Sequence, residues 1–412
     1  MTGQYVQAEG APPGEAITAC FRVTPADGRD LRAVAIAVAA ESSIGTWTDV
    51  AAMDAGIRQR LAPAVDLLGD ARVDIAYPLP LFESGSLPQL LSSVAGNVFG
   101  MNDVAGLRLE DVRLPRAYIK TFPGPALGLD GVRERLGVTG RPLVGTIIKP
   151  KVELGPGAHA AVAEQAWRGG CDIVKDDENL TDQAFNRFDE RIPATLSALR
   201  RAEEHSGERK LYLANVTAET EEMVRRARLV AASGGSAVMV DVLTVGWAAV
   251  QTLRAETGRL GLVLHAHRAG HAAFTRDERH GVSMLVLARL ARLAGVDLLH
   301  IGTGVGKMHG AAEEVRALAD ALRTPQPPWA EMAPVMPVAS GGLHPLHAPA
   351  LVANLGVDFV MQAGGGVHGH PDGSEAGARA LRAAVEAAAA GRPLEVAAAH
   401  SPELRRAQEV WQ

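Results

Sequence analysis

Cysteine is nearly absent. Only Cys20 and Cys171 occur in 412 residues, far apart and with no CxxC spacing. That argues against a disulfide framework or a structural zinc site and fits a reducing cytosol. No apolar run approaches the roughly 18 residues of a membrane span. Residues 1–16 lack a basic segment followed by an apolar one, so no signal peptide is expected. The expectation is therefore a cytoplasmic protein away from the membrane. Positive charge is not in excess either, with 41 basic against 47 acidic residues and a net charge of −6. No overall field favours nucleic acid or an anionic bilayer. A small anionic substrate stays open, because a local cationic pocket can sit in an acidic chain.

Apolar material is ample, at 47% hydrophobic residues. It is enough for more than one core, and the length suggests two domains or one large one. Residues 17–25, 71–82 and 107–115 read as strands, and 30–43 and 86–100 as helices, with Ser86 an N-cap before Pro88. Strands interleaved with two helices point to an α+β, ferredoxin-like domain over residues 1–125. From residue 126 to 412 the rhythm changes. Eight short apolar runs begin near 143, 171, 211, 237, 262, 297, 335 and 358, each followed by an Ala/Leu/Arg/Glu-rich helical stretch. Eight such units over about 250 residues have the size of a closed (β/α)₈ barrel. An open doubly wound sheet also alternates, but eight units suit closure better. The fold class is α/β.

Barrel enzymes carry their chemistry at the C-terminal ends of the strands. Polar residues fall there in this chain. Lys149 and Lys151 follow the first run, and Lys175-Asp176-Asp177-Glu178 the second. Asn215 and Asp241 end the third and fourth. His265, His267 and Arg268 end the fifth, His300 the sixth, Ser340-Gly341-Gly342 the seventh, and Gln362 with Gly364-Gly365-Gly366 the eighth. A barrel held only by packing has no reason for this recurrence. A lone Asp-Asp-Glu is more often a solvated turn. With Lys175 just before it at a strand end, Asp177 and Glu178 read as oxygen ligands of a hard cation such as Mg²⁺. The glycine turns after the last two strands sit where barrels bind phosphate, although glycine is common in this chain. Arg268 and His300 suit a second phosphate. His265 and His271 read equally well as packing residues. Lys307 lies in GTGVGKMHG (302–310), whose flanking glycines suggest a closing lid. Met308 after Lys307 breaks the GxxxxGK[ST] pattern, which excludes a P-loop.

Long segments now carry a family resemblance. GTIIKPKVELGP (145–156), GGCDIVKDDENLTDQAFNRF (169–188), HAHRAGHAAFTRDERHG (265–281), HIGTGVGKMHG (300–310), PVASGGLHP (337–345) and MQAGGGVHGHP (361–371) resemble successive signatures of the ribulose-1,5-bisphosphate carboxylase/oxygenase (RuBisCO) large-subunit superfamily. AAESSIGTWTDV (39–50) and AGNVFGMNDVAGLRLEDVRLP (95–115) resemble its N-terminal domain, and the wording is closest to archaeal-type form III members. The match runs in order from about residue 20 to the end.

The resemblance implies a lyase that adds CO₂, or competing O₂, to ribulose 1,5-bisphosphate and yields 3-phosphoglycerate. It implies Mg²⁺ held by Asp177, Glu178 and a CO₂-derived carbamate on Lys175, with the carbamate taking the C3 proton. Lys149, supported by Lys151, would be the later acid/base, and His267 would meet the C3 hydroxyl region. Arg268, His300 and Ser340 would hold one phosphate. Thr46, Trp47, Gly342, Gly364, Gly365 and Lys307 would hold the other, with Gly341 in the same turn. Glu41, Thr46, Trp47 and Asn97 would come from the partner in a homodimer, with larger rings open.

Two departures stand out. His309 replaces an acidic residue in the lid, and Glu153 stands where the family usually has glycine. The superfamily also contains RuBisCO-like proteins that act as enolases, isomerases or decarboxylases on other phosphorylated ketoses. Those typically lose several of the positions retained here.

Overall fold

The computed structural model describes residues 5–7, 14–46, 48, 50–305 and 311–411. The chain forms two compact units. Strands β1 (Ala16–Pro25), β2 (Ala64–Gly69), β3 (Arg72–Pro78) and β4 (Val104–Arg113) lie in the first unit. Strands β5 (Leu143–Ile147), β6 (Ile173–Lys175), β7 (Leu211–Asn215), β8 (Ala237–Asp241) and β9 (Val263–His267) lie in the second. Strand β10 (Gly281–Val282) belongs to the first unit, and β11 (Leu298–His300), β12 (Met336–Ser340) and β13 (Val360–Gln362) to the second.

In the first unit the sheet order is β10-β4-β1-β3-β2, with β1 antiparallel to both β3 and β4. The order β4-β1-β3-β2, with helices after β1 and β3, is the expected ferredoxin-like arrangement. Strand β1 buries every second residue, from Ile17 to Val23, as a sheet with one covered face requires. The helix Leu31–Glu41 starts where Asp30 accepts from Ala33 N, and the helix Leu87–Val94 where Ser86 accepts from Gln89 N. The expected helix over 86–100 is shorter. It ends at Val94 with Ala95 as the C-cap, the chain then turns through Gly96, where a Cβ would lie 2.2 Å from Ser92 O so that only glycine fits, and a 3₁₀ turn over Asn97–Gly100 follows. The first unit also takes in residues 270–294 and 325–332. Arg289 ties the helix Met284–Ala294 to β4 by donating to Val112 O and pairing with Asp111.

The second unit is a closed parallel barrel in the order β11-β12-β13-β5-β6-β7-β8-β9. Its lower lumen is apolar. Leu143, Leu211, Ala237, Val263, Leu298 and Met336, each the first residue of its strand, pack with Leu129, Val132 and Leu136 of the helix Gly128–Leu136. That helix plugs the N-terminal end of the barrel. The buried Asp297 carboxylate anchors it, accepting from Leu127 N and Gly128 N while also holding Leu264 N. With that end closed by packing, the polar inward residues fall at the opposite end. Among the described residues no helix is long and apolar enough to cross a membrane, and both cysteines are free.

Candidate active site

Strand alternation sets the centre of the site. Ile173 and Lys175 point into the lumen, and the Lys175 side chain is fully buried. Its Nζ donates to Asp176 O at 2.7 Å and lies 3.6 Å from Glu178 Oε2. Burial pushes the Lys175 pKa down, only partly opposed by Glu178, Asp177 and Asp241. Asp177 is also buried, which alone would raise its pKa. Lys149 Nζ at 2.7 Å from Oδ2, with two donations from Asn179, outweighs that and holds it below the usual carboxylate value. Glu178 is half-exposed, and Lys175 and His267 lower its pKa against the effect of burial.

Asp176 points the other way. It is fully buried and receives Arg191 Nε at 3.2 Å, Tyr212 OH at 2.6 Å and Asn215 N at 3.0 Å, with His159 Nε2 at 3.0 Å. Burial would raise its pKa, but Arg191 and His159 hold it far below the ordinary value. The Asn215 side chain donates to Asp177 O and Glu178 O. The main chain carrying the two carboxylates is thus pinned from β7.

Three histidines form one side of the lumen. His267 Nδ1 lies 2.7 Å from Asp241 Oδ1 and its Nε2 3.7 Å from Glu178 Oε2. A carboxylate only accepts, so Nδ1 carries the proton. His300 meets His267 edge-on at 4.7 Å and His265 at 4.9 Å. Burial, reinforced by neighbouring cations, holds His265 and His300 well below 6.5, so both rings are neutral. His300 Nε2, both His265 ring nitrogens and the Gln362 amide are buried with no hydrogen-bond partner among the described residues.

Arg268 Nη2 lies 2.9 Å from where a Cβ on Gly302 would be, so that glycine makes room for the guanidinium. Burial lowers the Arg268 pKa to about 10, and Glu314 only partly offsets this. Arg268 forms no ion pair among the described residues, a costly state for a mostly buried cation unless an anion joins it. Ser340 ends β12, and Gly341 and Gly342 take φ of +129° and +68°, where a side chain is strained. Gly364 adopts an ordinary φ of −79°, but a Cβ there would lie 3.2 Å from Lys149 Cε. Its small size therefore serves Lys149.

The second unit thus brings together Lys149, Lys175, Asp177, Glu178 and His267. Arg268, His300, Ser340, Gly341, Gly342, Gly364 and Gly365 lie on the same strand ends. Lys151 is exposed on the loop after β5 and pairs with no carboxylate among the described residues. Glu41, Thr46 and Asn97 belong to the first unit, where Asn97 Nδ2 donates to Glu41 Oε1 at 3.3 Å. Trp47, Lys307 and His309 lie outside the described residues.

The family model of the ribulose bisphosphate carboxylase large chain catalytic domain matches residues 128–411, and that of its N-terminal domain residues 4–118. The chain belongs to the ribulose bisphosphate carboxylase large chain family. It is similar to the ribulose bisphosphate carboxylase of Methanosarcina barkeri, 46% identical over 100% of this chain and 99% of the relative. That of Methanocaldococcus jannaschii is 48% identical over 93% and 95%. Among solved structures, an octameric RuBisCO from Pyrococcus horikoshii aligns with a TM-score of 0.94 at 45% identity, covering 99% of this chain and 96% of that one. A dimeric archaeal RuBisCO from Hyperthermus butylicus gives 0.93 at 46%, covering 100% and 99%.

Within this RuBisCO-family site, several supporting residues escape a reading of motifs. Asp241 and Asn215 stand at strand ends, yet their partners appear only in three dimensions. Asp176 sits inside the Lys-Asp-Asp-Glu run, and only strand alternation sets its direction apart from that of Asp177. Arg191, Tyr212 and His159 carry no local signal at all. Glu153 has φ of +72°, a conformation that favours glycine over a side chain.

Proposed function

We propose that the chain is a ribulose-1,5-bisphosphate carboxylase/oxygenase that converts ribulose 1,5-bisphosphate, CO₂ and water into two molecules of 3-phosphoglycerate, with O₂ competing for the same intermediate. The observation that carries this reading is the pairing of a buried Lys175, whose pKa burial pushes down, with Asp177 and Glu178 at one barrel mouth, beside a largely desolvated Arg268 that forms no ion pair among the described residues.

The donor set fits a hard divalent cation. Among the described residues no three His, Cys, Asp or Glu side chains converge as a metal cluster. Two carboxylates and a lysine do lie together, and a carbamate on that lysine would supply the third oxygen donor. Mg²⁺ bound there would polarise the substrate carbonyl and hydroxyl oxygens. Carbamate formation needs the free amine, which burial of Lys175 favours: the N–C bond to CO₂ forms as the amine proton leaves. Lys149 is the cation nearest these carboxylates, held on Asp177, and is placed to give or take a proton at the substrate's reacting carbons. Asp241 fixes His267 with the Nδ1 proton, leaving Nε2 to face a substrate hydroxyl. Arg268, with Ser340 and the neutral His300, offers charge and hydrogen bonds to one phosphate. The backbone amides of the Gly342 and Gly364–Gly365 turns suit the other. By the family resemblance, Glu41, Thr46 and Asn97 would complete the site from the partner subunit of a homodimer, and Trp47 and Lys307, outside the described residues, would add to the phosphate contacts. The dimeric and octameric assemblies of the relatives support this arrangement.

Incorporation of ¹⁴CO₂ into acid-stable product tests the reading. The enzyme is preincubated with bicarbonate and Mg²⁺ and then given ribulose 1,5-bisphosphate, with Lys175→Ala as control. Label in 3-phosphoglycerate with wild type alone is expected. No label from folded, Mg²⁺-loaded protein overturns the reading and points to another phosphorylated ketose.

A further inference from the structure

The glycine turns after β12 and β13 are backed by the chain's own C-terminus. The helix Pro402–Val410 starts where Ser401 Oγ accepts from Leu404 N. It reaches the β13 loop through His370, which is buried. Asp372 N donates to His370 Nδ1 at 3.1 Å, so the proton sits on Nε2, which donates to Glu403 O at 3.0 Å. Trp411 follows the helix. Its indole stacks on His344 with centroids 5.6 Å apart and planes 15° apart, and meets His370 edge-on at 6.4 Å. It also packs on Gly369, where a Cβ would lie 3.9 Å from Trp411 Cζ2.

His344 comes two residues after Gly342. Its ring lies 3.8 Å from that of His347, and its backbone N donates to His347 Nδ1. The two turns also interlock directly, because a Cβ on Gly366 would fall 2.3 Å from Leu343 O and 2.6 Å from His344 Cα. One indole therefore touches the loop after Gly341-Gly342 and the loop after Gly364-Gly365 at once. Burial, and then His347, hold the His344 pKa at about 4, so the stack joins neutral rings and involves no cation.

We propose that Trp411 is a positioning residue for substrate phosphate: its stack on His344 and its edge contact with His370 set the spacing of the Ser340–Gly342 and Gly364–Gly365 turns. This rests on the reading of those turns as phosphate-holding. Backbone amides hold an oxyanion only at a fixed separation, so loosening the clamp weakens binding more than it slows the reacting groups, which lie on other strand ends. A tryptophan that merely covered core surface would change melting temperature and leave substrate affinity alone.

The test compares full-length wild type with Trp411→Ala, Trp411→Phe and His344→Ala, all activated with bicarbonate and Mg²⁺. Michaelis analysis with ribulose 1,5-bisphosphate is run beside calorimetric binding of inorganic phosphate and a thermal melt. In Trp411→Ala, KM is expected to rise about tenfold with kcat within about twofold, a difference confined to binding. The phosphate Kd should weaken by a similar factor. Phenylalanine should restore most of the loss, and His344→Ala should reproduce it without adding to it in the double variant. Wild-type KM and phosphate Kd in Trp411→Ala would overturn the proposal. So would equal losses of kcat and stability in the alanine and phenylalanine variants alike. If wild type itself fails to turn over ribulose 1,5-bisphosphate, the functional reading falls, and the phosphate titrations still decide the role of Trp411.

Discussion

Lys149 Nζ sits 2.7 Å from Asp177 Oδ2, which places a cation against one of the two carboxylates proposed to hold the metal. The space behind that cation is set by Gly364, where a Cβ would lie 3.2 Å from Lys149 Cε. The Gly364 backbone has φ of −79°, so alanine brings no backbone strain, only crowding of the lysine. Gly364→Ala is therefore expected to lower kcat about tenfold, for a displacement of a few tenths of an ångström at the proposed proton-transfer group. Its melting temperature should stay within about 2 °C of wild type, as for a tolerated substitution of well under 1 kcal/mol. Steady-state kinetics beside a melt checks this, and full activity would show that Lys149 tolerates the displacement.

Asp241 makes a second relationship of this kind. Its carboxylate accepts a hydrogen bond from His267 Nδ1–H, which turns Nε2 toward the site. An amide in its place can donate to Nδ1 and favour the opposite tautomer. Asp241→Asn should cost about 10²–10³ in kcat with the fold intact. Circular dichroism and a pH–rate profile distinguish this from unfolding, and an unchanged kcat would remove His267 from the chemistry.

How much of this was legible in the sequence follows from the range of each signal. The eight barrel strands and the polar character of their C-terminal ends are local patterns, and the barrel closes on those runs. Strand β2 and the short helix Ala55–Leu61 escaped, because the amphipathic signal of a six- or seven-residue edge element is weak. That residues 270–294 and 325–332 cluster with the first unit is announced by no periodicity, since it depends on long-range packing such as Arg289 onto β4. In the site, chemistry-bearing residues were visible by type. The residues that aim them were not, because Asp176, Arg191 and Tyr212 act only through contacts between different strands and helices.

Glu153 was visible as a departure, and its cause is conformational. A non-glycine residue at φ of +72° crowds its Cβ against the backbone. Glu153→Gly is expected to raise stability by about 1 kcal/mol, less the entropy that glycine adds to the unfolded chain. A shift of the urea midpoint to higher concentration is the readout, and a lower midpoint would mean the side chain compensates for the strain.

Arg191 and Asp176 form a fully buried ion pair, with Nε 3.2 Å from Oδ2. Arg191→Met strips the guanidinium from a buried carboxylate that keeps only Tyr212, Asn215 N and His159, and should cost about 3 kcal/mol. Adding Asp176→Asn removes that charge and should recover part of the loss. The double variant tests the electrostatic argument directly: if it melts lower than Arg191→Met alone, packing rather than charge dominates the site.

His368 gives the pH dependence. Its Nε2 lies 3.0 Å from Thr146 Oγ1 and its Nδ1 2.9 Å from Ser374 Oγ. Burial, and then Lys149, hold the folded pKa at about 4, below the 6.5 of a free imidazole. As pH falls the unfolded chain takes up this proton first. The stability is fully present above about pH 6.5 and is lost progressively down to about pH 4, where the folded state titrates as well. Between pH 7.5 and 5.0 this one group should remove about 2 kcal/mol. Neutral His265 and His300 tilt stability in the same direction, so wild type alone cannot isolate the effect. His368→Gln, which keeps hydrogen-bonding capacity and does not titrate, should show a pH dependence shallower by about that amount. Urea midpoints for both proteins at the two pH values decide it, and parallel losses would place the acid sensitivity elsewhere in the barrel.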